Sequence, residues 1–305
     1  MPYTTRRRFL QSSAVWLAAS VTGSAFTNRA REPLLSFSTL GCPDWTFSQI
    51  VDFAKQHNYQ GIEVRGILKE MDLTKCSEFS SQNRKATMQL MKDNNLRFVD
   101  LGSSCTLHFE GEERIKNLDE GKRFIDLAHE INCPYIRVFP NLFPKERSKE
   151  ASMELISKGL LALGDHAKGS GVSVLVESHG DLVHIADLQA VMKVAAHSNT
   201  GMVWDVTNMW TITGELPSDV YGALKSYIRH VHIKDAKKSG DQIDYKLLGE
   251  GKVPIWQAVD LLYKNNYKGY YSFEWEKLWH PEIAAPEVAL ADYPEKMKQH
   301  FTQLK

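Results

Sequence analysis

Four stretches in the second half of this 305-residue chain each close a strand-like run with a side chain that can bind a metal ion. VSVLVE ends on Glu177, GMVWD on Asp205 and YYSFE on Glu274, and RHVHI carries His232. Three carboxylates and one imidazole form a fairly hard donor set, which suits Mn²⁺, Mg²⁺ or Co²⁺ better than copper and leaves Zn²⁺ within range. An ion held this way acidifies the C–H beside a substrate carbonyl, because it stabilises the enediolate left by proton loss. Glu177 and Glu274 are then the expected general base and acid, in either order. Any one of the four alone could equally be a salt bridge or a helix cap. The same position at four strand ends favours one shared divalent ion.

The elements that must position them are legible as apolar, β-branched runs: 34–40, 61–65, 97–101, 135–139, 172–177, 201–205, 227–233 and 270–275. Helical spacing fills the gaps, as in Phe47, Ile50, Val51 and Ala54, or Ile255, Ala258, Val259 and Leu262. Gly61, Gly171 and Gly269 fall where a helix should turn back into a strand. Eight strand–helix units in a chain of this length predict a single (β/α)₈ TIM barrel over 34–305, with its active site at the carboxyl ends of the strands. An open doubly wound sheet is disfavoured, since no glycine-rich phosphate fingerprint follows the first strand.

Residues two apart on a strand share a face, so His230, His232 and Lys234 should point together, as should Leu175, Glu177 and His179. Substrate contacts are expected from Trp45, His108, Arg137, His179, Asn208 and Lys234. Trp45 is either a sugar-stacking ring or a helix-packing one, and Lys234 either an oxyanion stabiliser or an exposed strand-end lysine. His108 and Arg137 read as structural before catalytic. Glu63 and Arg65 are expected to form a buried ion pair, and Trp275, Trp279 and His280 to roof the pocket or pack in the core.

The first residues read differently. Thr5-Arg6-Arg7-Arg8-Phe9-Leu10 before the uncharged run 12–25 predicts a twin-arginine signal peptide over 1–25, a linker over 26–33 and export to the periplasm. That run is short for a membrane span, so no stable anchor is expected after cleavage. Removing Arg6, Arg7 and Arg8 from a chain with 37 basic and 37 acidic residues leaves an acidic remainder, which argues against nucleic acid as a partner. Cys42, Cys76, Cys105 and Cys133 show no metal-knot spacing and are expected as free buried thiols.

Taken in order, Glu177 with Ser178-His179, Asp205 with Asn208, His230-Val231-His232-Ile233-Lys234-Asp235, Leu248-Gly249-Glu250-Gly251 and Phe273-Glu274 resemble the xylose-isomerase-like barrel superfamily along the whole mature chain. The resemblance implies a metal held by Glu177, Asp205, His232 and Glu274, with the two glutamates flanking the substrate. Many relatives carry histidine where this chain has Asn208, which can hydrogen-bond but titrates no proton. The implied activity is that of a metal-dependent isomerase or epimerase acting on a non-phosphorylated keto sugar. Elimination from 3-keto-glycosides and a non-catalytic periplasmic sugar receptor are the alternatives, and both the small-molecule carbohydrate partner and a homo-oligomer are expectations. The nuclease branch of the superfamily fits poorly, because few of the 11 histidines fall at strand ends.

Overall fold

The computed structural model describes residues 32–240 and 242–304. The expected signal peptide and all but the last two residues of the linker lie outside the described residues. Residues 33–305 form one compact unit. Eight parallel strands close into a barrel: β1 (Leu34–Ser38), β2 (Gly61–Val64), β3 (Arg97–Thr106), β4 (Tyr135–Phe139), β5 (Ser173–Glu177), β6 (Thr200–Asp205), β7 (Ile228–Ile233) and β10 (Tyr270–Phe273). All eight expected strands are present, although β3 runs five residues past its expected end at Leu101.

The helices are α1 (Phe47–Gln56), α2 (Arg84–Asp93), α3 (Gly111–Glu130), α4 (Lys149–His166), α5 (Ile185–Val194), α6 (Val206–Thr213), α7 (Pro217–Leu224), α8 (Ile255–Lys264) and α9 (Pro286–Gln303). They start where the chain supplies a local reason. Thr46 and Gln49 form a reciprocal capping box for α1, and the Asp205 side chain caps α6 by accepting from Asn208 N. Each buries an apolar stripe; α8, for example, turns Ile255, Ala258, Val259 and Leu262 inward.

One unit was not expected from the sequence. After β7 the chain forms an antiparallel hairpin of β8 (Asp235–Ser239) and β9 (Gln242–Lys246) outside the barrel sheet. The segment that follows folds back onto the Asp235 carboxylate, which accepts from the backbone N–H groups of Ala236, Gly249, Gly251 and Val253. A β-carbon on Gly251 would collide with that carboxylate, which is why glycine stands there. Thus Leu248-Gly249-Glu250-Gly251 ties down the connection just beyond the strand that carries His232.

Register stacks the polar residues inside the barrel. Ser38 lies level with Glu63, Glu63 with Asp100, Asp205 with His232, and His232 with Ser272. Paired residues in parallel strands face the same side, so these side chains share the interior. All four cysteines are free and buried, and among the described residues no helix is long and apolar enough to cross a membrane.

Candidate metal centre

Glu177 ends β5, Asp205 ends β6, His232 lies one residue before the end of β7, and Glu274 follows β10 directly. Glu274 keeps the strand's course because its N–H donates to Ile233 O at 3.1 Å. The structure brings the four together: His232 Nδ1 is 3.5 Å from Glu177 Oε1, 3.7 Å from Asp205 Oδ2 and 3.3 Å from Glu274 Oε2. One donor atom from each lies within 4.8 Å of the others, and all four residues are buried. Asp205 Oδ1 caps α6, and this leaves Oδ2 facing His232.

The donors fit a divalent ion. His232 Nδ1 is buried without a hydrogen-bond partner, and Glu177 Oε2 and Asp205 Oδ2 are buried with ion-pair contacts alone, so all three have lone pairs that coordination would use. Burial by itself would lower the His232 pKa, yet the charges of Glu274 and Glu63 raise it well above the ordinary value. Burial likewise pushes Glu274 up, but His232 and Lys234 hold it well below the usual carboxylate range. An ion bound at Nδ1 would displace a proton from the imidazole.

Lys234 is not an exposed lysine. It is 1% exposed, and Nζ donates to Glu274 Oε2 and Glu276 Oε1 at 2.6 Å each and lies 2.9 Å from Asp205 Oδ2. Those carboxylates outweigh the burial penalty and raise its pKa well above normal. Arg137, also buried, sets its Nε 3.2 Å from Glu177 Oε2, donates to Ser103 O and lies over the Phe139 ring at 3.7 Å. Gly102 makes room for it, because a β-carbon there would stand 2.9 Å from Arg137 and 2.6 Å from Arg65. Asn208 donates to Glu177 Oε1 at 3.4 Å.

The other expected contacts are placed as follows. His179 is half-buried against Phe139, with Nδ1 buried and unpartnered. His108 is buried, and its Nδ1 lies 2.6 Å from Pro140 O. Trp45 lies on Phe53 of α1 at 4.8 Å, so packing accounts for at least one edge of its ring. Trp275 is a core residue that stacks on Phe273 and donates to Ala284 O, whereas Trp279 is 57% exposed and His280 touches Tyr245.

The expected Glu63–Arg65 pair is not formed. Glu63 Oε2 accepts from His230 Nε2 at 2.9 Å and Ser272 Oγ at 2.8 Å and lies 3.2 Å from His232 Nε2. Arg65 stands past the end of β2 and donates to Gly102 O and Ser104 Oγ. Glu63 therefore lies behind the imidazole at ion-pair distance, on the side where a metal-binding histidine takes a carboxylate partner. Glu276 and Asp100 were missed in the sequence. The alternation in Phe273-Glu274-Trp275-Glu276 is the signal for the first. Asp100 could have been found as the only charged residue between Phe98 and Ser103.

A closed β/α barrel with acidic and imidazole donors converging at its strand ends defines a class of metal-binding barrel. The chain belongs to the xylose isomerase-like TIM barrel family, whose model matches residues 51–298. Similar solved structures include the probable 3-DHS dehydratase AsbF of petrobactin synthesis from Bacillus anthracis, with a TM-score of 0.71 and 16% identity over 87% of this chain and 97% of that one. A xylose isomerase-like TIM barrel protein from Mycobacterium smegmatis in complex with magnesium gives 0.66 and 19% over 89% and 97%. A D-tagatose 3-epimerase-like protein gives 0.70 and 17% over 89% and 97%. At these identities the likeness concerns the fold. No curated protein matches the chain.

Proposed function

We propose that the protein is a divalent-metal-dependent enzyme that abstracts the proton beside the carbonyl of a non-phosphorylated keto sugar, with an isomerase- or epimerase-type outcome. The observation that carries this reading is the convergence of Glu177, Asp205 and Glu274 on a single nitrogen of His232. A divalent ion held by these four residues would supply positive charge to a substrate carbonyl oxygen as negative charge develops on it.

The chain's own groups do the rest. Glu177 and Glu274 approach from β5 and from the end of β10, so one carboxylate can take a proton and the other return it. Arg137 and Lys234 fix their orientations, and the carboxylate that returns the proton does so from its protonated form. The Lys234 ammonium also offers a fixed positive charge to an oxygen that gains negative charge, without reorganisation. Support for a non-phosphorylated substrate comes from two sides: the export signal read at residues 1–25, and a site whose carboxylates repel a phosphate dianion. Support for proton abstraction in general comes from the names of the epimerase-like and probable dehydratase neighbours, since epimerisation and dehydration can both begin with loss of a proton beside a carbonyl.

The test is solvent deuterium exchange followed by NMR over a panel of free keto sugars and 3-keto-glycosides, with manganese-loaded mature protein. Incorporation beside the carbonyl, lost in Glu177→Gln and Glu274→Gln, is the expected result. Release of an aglycone would identify elimination, and tight sugar binding with no exchange would make the protein a receptor.

A further inference from the structure

We propose that the barrel floor holds a second divalent cation, bound by Glu63, Asp100 and His230 one layer below the donors at the mouth. His230 precedes His232 by two residues on β7, and Asp100 lies level with Glu63 on the neighbouring strand. Donor atoms from Glu63, Asp100, His230 and His232 all lie within 4.8 Å of one another. Two bonds of about 2.1 Å to a common ion would place opposed donors roughly 4.2 Å apart, so little adjustment is needed.

The pressure to bind something is in the unpartnered atoms. Asp100 is fully buried and neither of its oxygens has a hydrogen-bond partner; Glu63 Oε1, also fully buried, has none. Three carboxylate oxygens therefore face this pocket without a donor. Among the described residues no lysine or arginine supplies the deficit, because Arg137 is engaged by Glu177 and Ser103, and Lys234 by Asp205, Glu274 and Glu276; the His232 imidazole reaches only the other oxygen of Glu63. Two carboxylates with imidazole nitrogen form the hard-to-borderline set that manganese, magnesium or zinc prefers.

His232 links the two layers, with Nδ1 toward the mouth and Nε2 toward Glu63. Ions in both layers would therefore be separated by one imidazole ring. The chemistry proposed for the mouth does not require the lower ion, and the lower site does not depend on that activity.

The test uses full-length protein stripped with a chelator, dialysed against manganese(II) chloride, and counted by elemental analysis and electron paramagnetic resonance. Two bound equivalents with a spin-coupled spectrum are expected. Asp100→Asn should lose one equivalent and the coupling, while Asp205→Asn should lose the other equivalent and keep the floor ion. One equivalent in the wild type, abolished by Asp205→Asn, would overturn the floor site and leave the mouth intact; none at all would overturn both. The wild-type count decides the question even if Asp100→Asn does not fold.

Discussion

Lys234→Met should make metal binding tighter and turnover slower, an unusual pair of opposite effects. The ammonium sits 2.6 Å from Glu274 and 2.9 Å from Asp205, two of the four donors, and so competes with the ion for their charge. Its pKa is raised well above normal, so no working pH removes that competition and only substitution can. In the metal-free variant three buried carboxylates lose their counterion. Breaking such a buried pair costs about 3–5 kcal/mol. At roughly 2–4 °C per kcal/mol for a domain approaching this size, Tm should fall by about 6–20 °C.

Metal loading should recover most of that loss, since the ion then neutralises the same carboxylates. Two unit charges 4 Å apart in an effective dielectric of about 20 interact by roughly 4 kcal/mol, so removing Lys234 should strengthen manganese binding by at least about tenfold. Turnover should nevertheless fall by about 10²–10³, the usual loss for one charge-stabilising donor. Differential scanning calorimetry with and without manganese, isothermal titration and the exchange assay measure the three quantities. An equal Tm loss in both states would refute the argument, because it would mean that the ion and Lys234 do not share carboxylates.

Glu63→Gln should weaken metal affinity by about 10–100-fold while leaving all four mouth donors in place, because it removes the carboxylate that orients His232; competition with a fluorescent chelator would measure it. Asp100→Asn should stabilise the metal-free protein at pH 8. Burial and the neighbouring Glu63 push Asp100 from 3.8 up to about 7, so between these values the folded state binds more protons than the unfolded state and stability falls as pH rises. The gain should approach about 4 kcal/mol above pH 7 and vanish toward pH 4, and urea titrations at pH 5 and 8 would show it. Glu274 behaves oppositely: its folded pKa is depressed, so its contribution is whole above the unfolded value near 4.5 and is lost as pH falls through the lower folded value. Glu274→Gln should therefore flatten the acid limb of the stability profile measured without metal.

The barrel was readable because its signal is repeated. Eight β-branched runs separated by helical spacing leave few alternatives, and the four mouth donors stand at corresponding strand ends. What escaped depends on contacts between strands distant in sequence. Glu63 and Arg65 are two residues apart and of opposite charge, yet Glu63 turns to His230, 167 residues away, and to Ser272, 209 away. Alternation along one strand shows which side a residue faces and says nothing of which strand faces it. Lys234 is a similar case, since nothing local separates a strand-end lysine in water from one enclosed by Asp205, Glu274 and Glu276. The β8–β9 hairpin escaped because its residues are largely polar and half-buried or exposed, so burial imposes no clear alternation on them.

The interior charge explains why metal and fold should be coupled here. Among the described residues Glu63, Asp100, Glu177, Asp205, Glu274 and Glu276 oppose Lys234, Arg137 and Arg65 as fixed cations. The metal-free protein makes up part of the difference with protons, which is why His232 is driven up and Asp100 is raised toward neutrality. Each such proton must leave before its site can accept a cation, so binding should release protons and strengthen as pH rises. The stability lost to unbalanced carboxylates in the empty barrel is then returned when a cation binds, and the residues that make the mouth chemically useful are the same ones that make the metal-free fold expensive.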